Sequence, residues 1–178
     1  MHGYTKPIDW RVLIPEEMGD AADDDRRRFV AGVYAESGPR LYRYALMILA
    51  DRRDAEDVLQ QVFAVVLSKR TLPAIDDAGA YFRTAVRNAA YSLLRHRRTM
   101  RAAEELILEP AVPGCSAAEQ AALEQALRAL PPEQREVVHL HVYEGMTFQE
   151  VASATGDSIN TVAARYRYAL DKLRKMIL

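Results

Sequence analysis

The stretch TFQEVASATGDSINTVAARYRYALDKLR, residues 147–174, decides how the rest of the chain is read. It opens on Thr147 with Glu150 three residues on, a capping box in which each side chain satisfies an exposed backbone amide of the following helix. That helix is short, and Gly156 ends it. Asp157 or Ser158 then caps a longer helix whose apolar stripe is Val162, Tyr166, Leu170, Leu173 and Ile177. A capped short helix, a glycine-bearing turn and a longer helix are the punctuation of a helix-turn-helix. Two antiparallel helices of a bundle would show much the same periodicity. In a helix-turn-helix the start of the second helix enters the major groove, so Ser158, Asn160, Thr161, Ala164 and Arg165 would face DNA. Asn and Arg can grip base edges in bidentate fashion, and free amides at a helix start suit a phosphate.

Upstream, Leu123, Leu127 and Leu130 mark a short helix stopped by Pro131-Pro132, and a further helix is expected from 133 to 144, closed by Gly145 at C′. Nearer the N-terminus, Phe29, Val33, Leu41, Ala45, Ile48 and Leu49 predict a first helix, which Gly38-Pro39 should bend or interrupt. From Asp54 the apolar positions Ala55, Val58, Leu59, Val62, Phe63 and Val66 follow the spacing of one helix face closely. The other side of that helix carries Asp54, Glu56, Asp57, Gln60 and Gln61. TLPAIDDAG reads as a loop, after which Ala80 opens another helix with a buried stripe of Phe82, Val86, Ala89 and Leu93.

Charge is distributed in blocks. The whole chain is nearly neutral, with 24 basic and 25 acidic residues among 178. Residues 81–100, YFRTAVRNAAYSLLRHRRTM, nevertheless hold five arginines, one histidine and no acid, and residues 159–178 hold five basic residues against Asp171. Acid gathers in residues 1–25 and in the segment 102–124, which carries five glutamates and no lysine or arginine. A single basic run is usually a solvated face, but two on separate helices make nucleic acid a competitive partner. On the first of them Arg83, Arg87, Tyr91, Arg95, Arg97 and Arg98 lie away from the apolar stripe, and Tyr81 and Tyr91 offer flat surfaces for unpaired bases. Packing of the tyrosines on a neighbouring helix fits the spacing equally well.

Composition bounds the remaining classes. A hydrophobic content of 49% is enough for real cores, and the low counts of 8 glycines and 8 prolines favour helix over sheet. No run approaches the roughly 20 apolar residues of a membrane span, and the N-terminus lacks the pattern of a signal peptide, so a cytoplasmic protein is expected. Cys115 is the single cysteine; it reads as an inert thiol, with redox sensing or an intermolecular bond as the alternatives. His139 and His141 lie about 200° apart on a helix and cannot share a metal from there. No phosphate loop, catalytic triad or cysteine pair is visible, so neither enzymatic activity nor a cofactor is expected.

The segments LYRYALMILADRRDAEDVLQQVFAVVL, AYFRTAVRNAAYSLLRHRR and ALRALPPEQREVVHLHVYEGMTFQEVASATGDSINTVAARYRYALDKLRK together resemble, in collinear order over about residues 28–178, a bacterial RNA polymerase sigma factor of the extracytoplasmic-function group. The resemblance implies an all-α fold of two small helical domains, a domain 2 bundle (28–100) and a domain 4 helix-turn-helix (119–178). They would be joined by a flexible acidic linker (101–118) and preceded by an acidic extension (1–27). It implies that Asp54, Glu56, Asp57, Gln60 and Gln61 dock on the β′ clamp helices of core RNA polymerase, with the β flap as a second contact. Arg83, Arg87, Asn88, Tyr91, Arg95 and Arg98 would hold the opened minus-10 strand, with a flipped base near the loop 71–79. Ser158, Asn160, Thr161, Ala164, Arg165 and Arg167 would read the minus-35 element. Promoter DNA is thus an implied partner, and an anti-sigma factor a further candidate.

Some positions depart from the family pattern. Many members carry Trp at the position of Tyr81 and Asp at that of Ser92, and a basic residue and a serine at those of Ala163 and Ala164, so base reading shifts toward Asn160, Thr161, Arg165 and Arg167. The linker would thread toward the RNA exit path or act as a plain tether. The extension, with Trp10 and Val12-Leu13-Ile14, would dock on the body, on polymerase or on a regulator, or stay disordered; its charge also suits masking of the arginine helix. The competing function is a stand-alone helix-turn-helix regulator that binds a palindromic operator as a homodimer. Such a dimer has no need of the DAEDVLQQVF helix or the arginine helix.

Overall fold

The computed structural model describes residues 21–69, 75–100 and 117–177, with side chains described from 24 to 69, 75 to 97 and 121 to 177. The described residues form seven α-helices: α1 (Ala21–Leu49), α2 (Arg52–Ser68), α3 (Ala78–Met100), α4 (Ala117–Arg128), α5 (Pro132–Val138), α6 (Phe148–Thr155) and α7 (Ile159–Ile177). The all-α expectation holds. The acidic linker, Cys115 and most of the N-terminal extension lie outside the described residues, although α1 takes in residues 21–27.

Helix α1 runs through Gly38-Pro39 without the expected interruption. An internal proline costs a helix about 3 kcal/mol, but α1 buries Val30, Val33, Leu41, Tyr44, Ala45, Leu46, Ile48 and Leu49. Each such aliphatic side chain is worth about 1.5–3 kcal/mol when fully buried, so packing outweighs the lost hydrogen bond. Gly38 serves packing here, since a Cβ on it would come within 3.3 Å of the Tyr34 ring. The helix stops at Ala50, buried and left-handed at φ 57°. Asp51 then caps α2, accepting from the Asp54 amide at 3.0 Å.

The expected apolar face of α2 is buried in full. Its Phe63 stacks on Phe82 of α3 at 4.7 Å, with the Tyr34 ring edge-on to Phe63 at 5.2 Å. Asp77 caps α3 through the Ala80 amide at 2.8 Å. The buried stripe of α3 is Phe82, Val86 and Ala90, with Ala89 and Leu93 only partly covered.

In the second half, the helix expected from 133 to 144 is α5 continued by a π-helical turn, His139–Tyr143, and closed by Gly145 at φ 72°. The capping box of Thr147 and Glu150 forms in both directions, and Gly156, at φ 76°, ends α6 in the left-handed conformation. Ser158 rather than Asp157 caps α7, its hydroxyl accepting from the Thr161 amide at 3.1 Å. The inner stripe of α7 is corrected to Val162, Tyr166, Ala169 and Leu173, because Leu170 and Ile177 are exposed. Ile177 lies in the last turn, and Leu170 sits about 100° around the helix from the buried Ala169.

The two halves share one core. Val137, Leu140, Val151 and Val162 join the cluster built by α1, α2 and α3. The contact is organised by Arg135, whose side chain is 5% exposed. Its guanidinium donates to the carbonyls of Met47 (2.7 Å) and Ile48 (2.8 Å) at the end of α1, and to those of Arg128 (3.2 Å) and Leu130 (2.6 Å) at the end of α4. The last carbonyls of a helix have no intrahelical donor and carry its negative dipole end. One planar cation therefore closes two helix ends from different halves of the chain. Burial lowers its pKa from 12.5 to about 10, leaving it charged at neutral pH. Arg135→Ala orphans four carbonyls and is expected to destabilise the fold by at least about 3 kcal/mol. Arg135→Lys should recover only part of this, because an ammonium lacks the fork. Urea denaturation of the three proteins measures both values.

Candidate nucleic-acid interface

The two basic blocks of the sequence lie on α3 and α7. The start of α7 is open: Ser158 and Asn160 are exposed, Thr161 and Ala164 half-buried, and Arg167 exposed with its guanidinium 5.4 Å from the Tyr168 ring centroid.

 Arg165 is held by Asp157, so one of the expected base readers has an intramolecular partner before any DNA arrives. The Thr161 hydroxyl also meets that of Ser158 at 2.8 Å.

On α3 the expected DNA face divides. Asn88 and Arg95 are exposed and Arg83 is half-buried, beside Arg40, Tyr44, His139 and Glu144 in a narrow cleft. The side chain of Arg98 lies outside the described residues. Arg87 and Tyr91 instead turn toward α5 and meet Glu136, which is fully buried. Glu136 Oε1 accepts from the Tyr44 hydroxyl at 2.5 Å and from Arg87 Nε at 2.7 Å. Its Oε2 accepts from the Tyr91 hydroxyl at 2.7 Å and from Arg87 Nη2 at 3.3 Å. Burial opposes the charge on Arg87, yet the hydrogen bond and the charge of Glu136 outweigh it and the guanidinium pKa is raised. Burial, then the Glu136 carboxylate, raises the phenol pKa of both Tyr44 and Tyr91, which stay protonated as donors. The acid that meets Arg87 and Tyr91 thus comes from α5, while residues 1–20 lie outside the described residues.

The polar face of α2 also divides. Asp57 and Gln61 are exposed, and Glu56 and Gln60 half-exposed. The placement of Asp54 on the outer face is corrected: it is 7% exposed and pairs with Arg97 of α3, so its carboxylate faces the bundle. Burial, then repulsion from Asp51, raises its pKa against the pull of Arg97. Tyr81 lies partly buried against Phe82, at 5.5 Å, and accepts from Lys69 at 3.1 Å.

Sequence reasoning missed Tyr44, Arg135 and Glu136. The available signal was that Glu136 stands four residues before Leu140, on the inward face of its helix. His139 and His141 point to different surroundings, as their spacing requires. His141 Nδ1 lies 2.7 Å from the Met146 carbonyl, whereas His139 stacks between Tyr44 (5.8 Å) and Tyr143 (5.2 Å). Among the described residues no group of three or more His, Cys, Asp or Glu is placed to hold a metal ion, and no helix is long and apolar enough to cross a membrane.

These features define a helical protein with an amphipathic helix of polar outer face, an arginine helix and a helix-turn-helix. Comparison with known proteins gives the class its family. The model of sigma-70 region 2 matches residues 33–99, and that of sigma-70, region 4 matches residues 120–173. The RNA polymerase sigma-E factor of Streptomyces coelicolor is 31% identical over 141 residues, covering 78% of this chain and 80% of the relative. The ECF RNA polymerase sigma factor RpoE of Cereibacter sphaeroides is 28% identical over 153 residues, covering 82% and 84%. Among solved structures, the sigma factor RpoE of Bartonella quintana, in complex with the anti-sigma factor NepR, superposes with a TM-score of 0.69 at 23% identity, covering 83% of this chain and 95% of that one. The chain belongs to the sigma-70 family of RNA polymerase sigma factors, in its extracytoplasmic-function group. It directs promoter-specific transcription.

The cleft beside Arg83 also sets a pH dependence. Burial lowers the His139 pKa from 6.5 to about 4, against the weaker pull of Glu144, whose Oε1 is 3.6 Å from Nε2. Between those values the unfolded chain binds the proton and the folded chain does not. The contribution of His139 is therefore fully present above pH 6.5 and is lost as pH falls toward 4. One pKa unit is about 1.4 kcal/mol, so the loss is on the order of a few kcal/mol. His139→Phe should flatten the dependence of the urea midpoint on pH across this window, and a slope parallel to that of the parent would refute the assignment.

Proposed function

We propose that the chain works as an extracytoplasmic-function sigma factor whose α2 docks on the β′ clamp helices of core RNA polymerase, whose α3 holds the opened minus-10 strand, and whose α7 reads the minus-35 element. The observation that supports this reading most is the occurrence in one chain of two DNA-type helices, α3 and α7, together with α2, whose apolar face is buried and whose outer face is polar. A stand-alone operator-binding dimer has use for α7 alone.

The roles follow from exposure and chemistry. Glu56, Asp57, Gln60 and Gln61 form the docking face, while Asp54 anchors α3 from within through Arg97. On α3, Arg83, Asn88 and Arg95 follow the strand backbone, with Arg87 and Tyr91 joining once Glu136 has left them. Arg98 continues the same basic run. On α7, the amides at the helix start and Ser158 take a phosphate, while Asn160, Thr161 and Arg167 face base edges. Ala164 offers a methyl contact, and Arg165 reads DNA on release from Asp157. The second half also meets the β flap, and an anti-sigma factor is a candidate regulator. The chain acts in the cytoplasm and performs no bond chemistry of its own, which belongs to polymerase.

Transcription by core polymerase on genomic fragments, with start sites mapped, tests this reading. The purified chain should confer initiation at promoters sharing two spaced elements, and an absence of chain-dependent initiation would sink it. Asp57→Lys should weaken core binding in a pull-down while leaving the circular dichroism spectrum unchanged. Asn160→Ala should cost about 1–3 kcal/mol of discrimination at a minus-35 position, seen as competition binding against mutated promoters.

A further inference from the structure

We infer that Glu136 occupies the position of a DNA phosphate on α3 and thereby holds the free chain in a closed form in which Arg87 and Tyr91 cannot take the promoter strand. The inference rests on the reading of α3 as a strand-binding helix. Three observations carry it. Helix α3 contains no acidic residue, and yet its Arg87 and Tyr91 are satisfied by a carboxylate from the other half of the chain. Both Glu136 oxygens accept from Arg87, in the two-point manner by which a guanidinium grips either a carboxylate or a phosphate. Glu136 is 0% exposed and takes the donors of Arg87 and Tyr91 that point into the seam, so a nucleotide cannot use those donors while it stays in place, although the Arg87 side chain itself keeps 20% exposure.

The clasp is coupled to the arrangement of the two halves. Glu136 follows Arg135 on α5, and Arg135 is bonded to the end of α1. Removing Glu136 from α3 therefore requires α5 to move away from α1 and α3. The same seam carries the Arg40–Glu144 pair and Arg43 lying 5.1 Å from the Tyr143 ring centroid. Both arginines are exposed, so these contacts hold the closed form less firmly. A partner that binds only the open form shifts the population toward it by its difference in affinity for the two forms. The free chain binds DNA with an affinity reduced by the fraction that is open.

The test uses the full chain with Cys115→Ser, spin-labelled at cysteines replacing the exposed Glu36 of α1 and Ser153 of α6. The inter-label distance is measured by pulsed electron paramagnetic resonance, and the affinity for a fluorescein-labelled single-stranded oligonucleotide by anisotropy at fixed salt. Glu136→Gln keeps the shape and removes the charge. It should add a longer-distance population and tighten oligonucleotide binding about tenfold, equivalent to about 1.4 kcal/mol. Tyr44→Phe removes one donor to Glu136 without touching α3 and should shift both readouts the same way by less, which keeps the test open if the first variant does not fold. An unchanged distance distribution in the folded variants overturns the clasp. A longer distance with unchanged affinity overturns the masking of Arg87 and Tyr91. Failure of the sigma-factor reading would appear separately, as an absence of initiation with core polymerase.

Discussion

Two adjacent charges on α5 hold this molecule together. Arg135 closes the carbonyl ends of α1 and α4, and Glu136 gathers Tyr44, Arg87 and Tyr91 around one carboxylate. Burying a charge is costly unless every bond it can make is made. Here both groups are surrounded by partners, so the burial is tolerable only in this arrangement of helices. That condition makes the pair a strong constraint on how the halves meet, since any slip of α5 against α1 would leave a buried ion without partners.

The near-zero net charge of the chain acquires a structural meaning from this. The positive charge of α3 is answered partly by acids brought to it through folding, Asp54 at Arg97 and Glu136 at Arg87. The first of these contacts lies within the bundle of α1, α2 and α3 and positions α3. The second crosses to the other half and covers part of the face that α3 would offer to DNA. Asp157 treats Arg165 of α7 similarly. Cations suited to phosphate are thus kept ordered, and partly occupied, by carboxylates of the same chain.

Much of the architecture was legible in sequence because it rests on local rules. The α2 face from Ala55 to Val66, the capping box at Thr147 and Glu150, and the glycines at 145 and 156 depend on neighbours within a few residues. Readings failed where distant packing overruled a local preference. Pro39 stays inside α1 because the apolar surface that helix buries outweighs one lost hydrogen bond. Asp54 turns inward because Arg97 is there to meet it. Leu170 is exposed while Ala169 is buried, because α4 lies against the Ala169 side of α7, where Leu127 and Leu130 pack.

By itself the sequence determined the helices, their caps and the two basic blocks, since helix periodicity, capping and charge are properties of short segments. It also carried the order of motifs that marks the family. Only the tertiary structure decided which of the arginines and carboxylates meet. Arg87 and Glu136 are far apart in the chain, and the inward register of Glu136, four residues before Leu140, does not say which donors it meets. The burial of Val137 and Leu140 in the shared core carries Glu136 to α3, and a carboxylate placed in that dry seam must find the donors on α1 and α3.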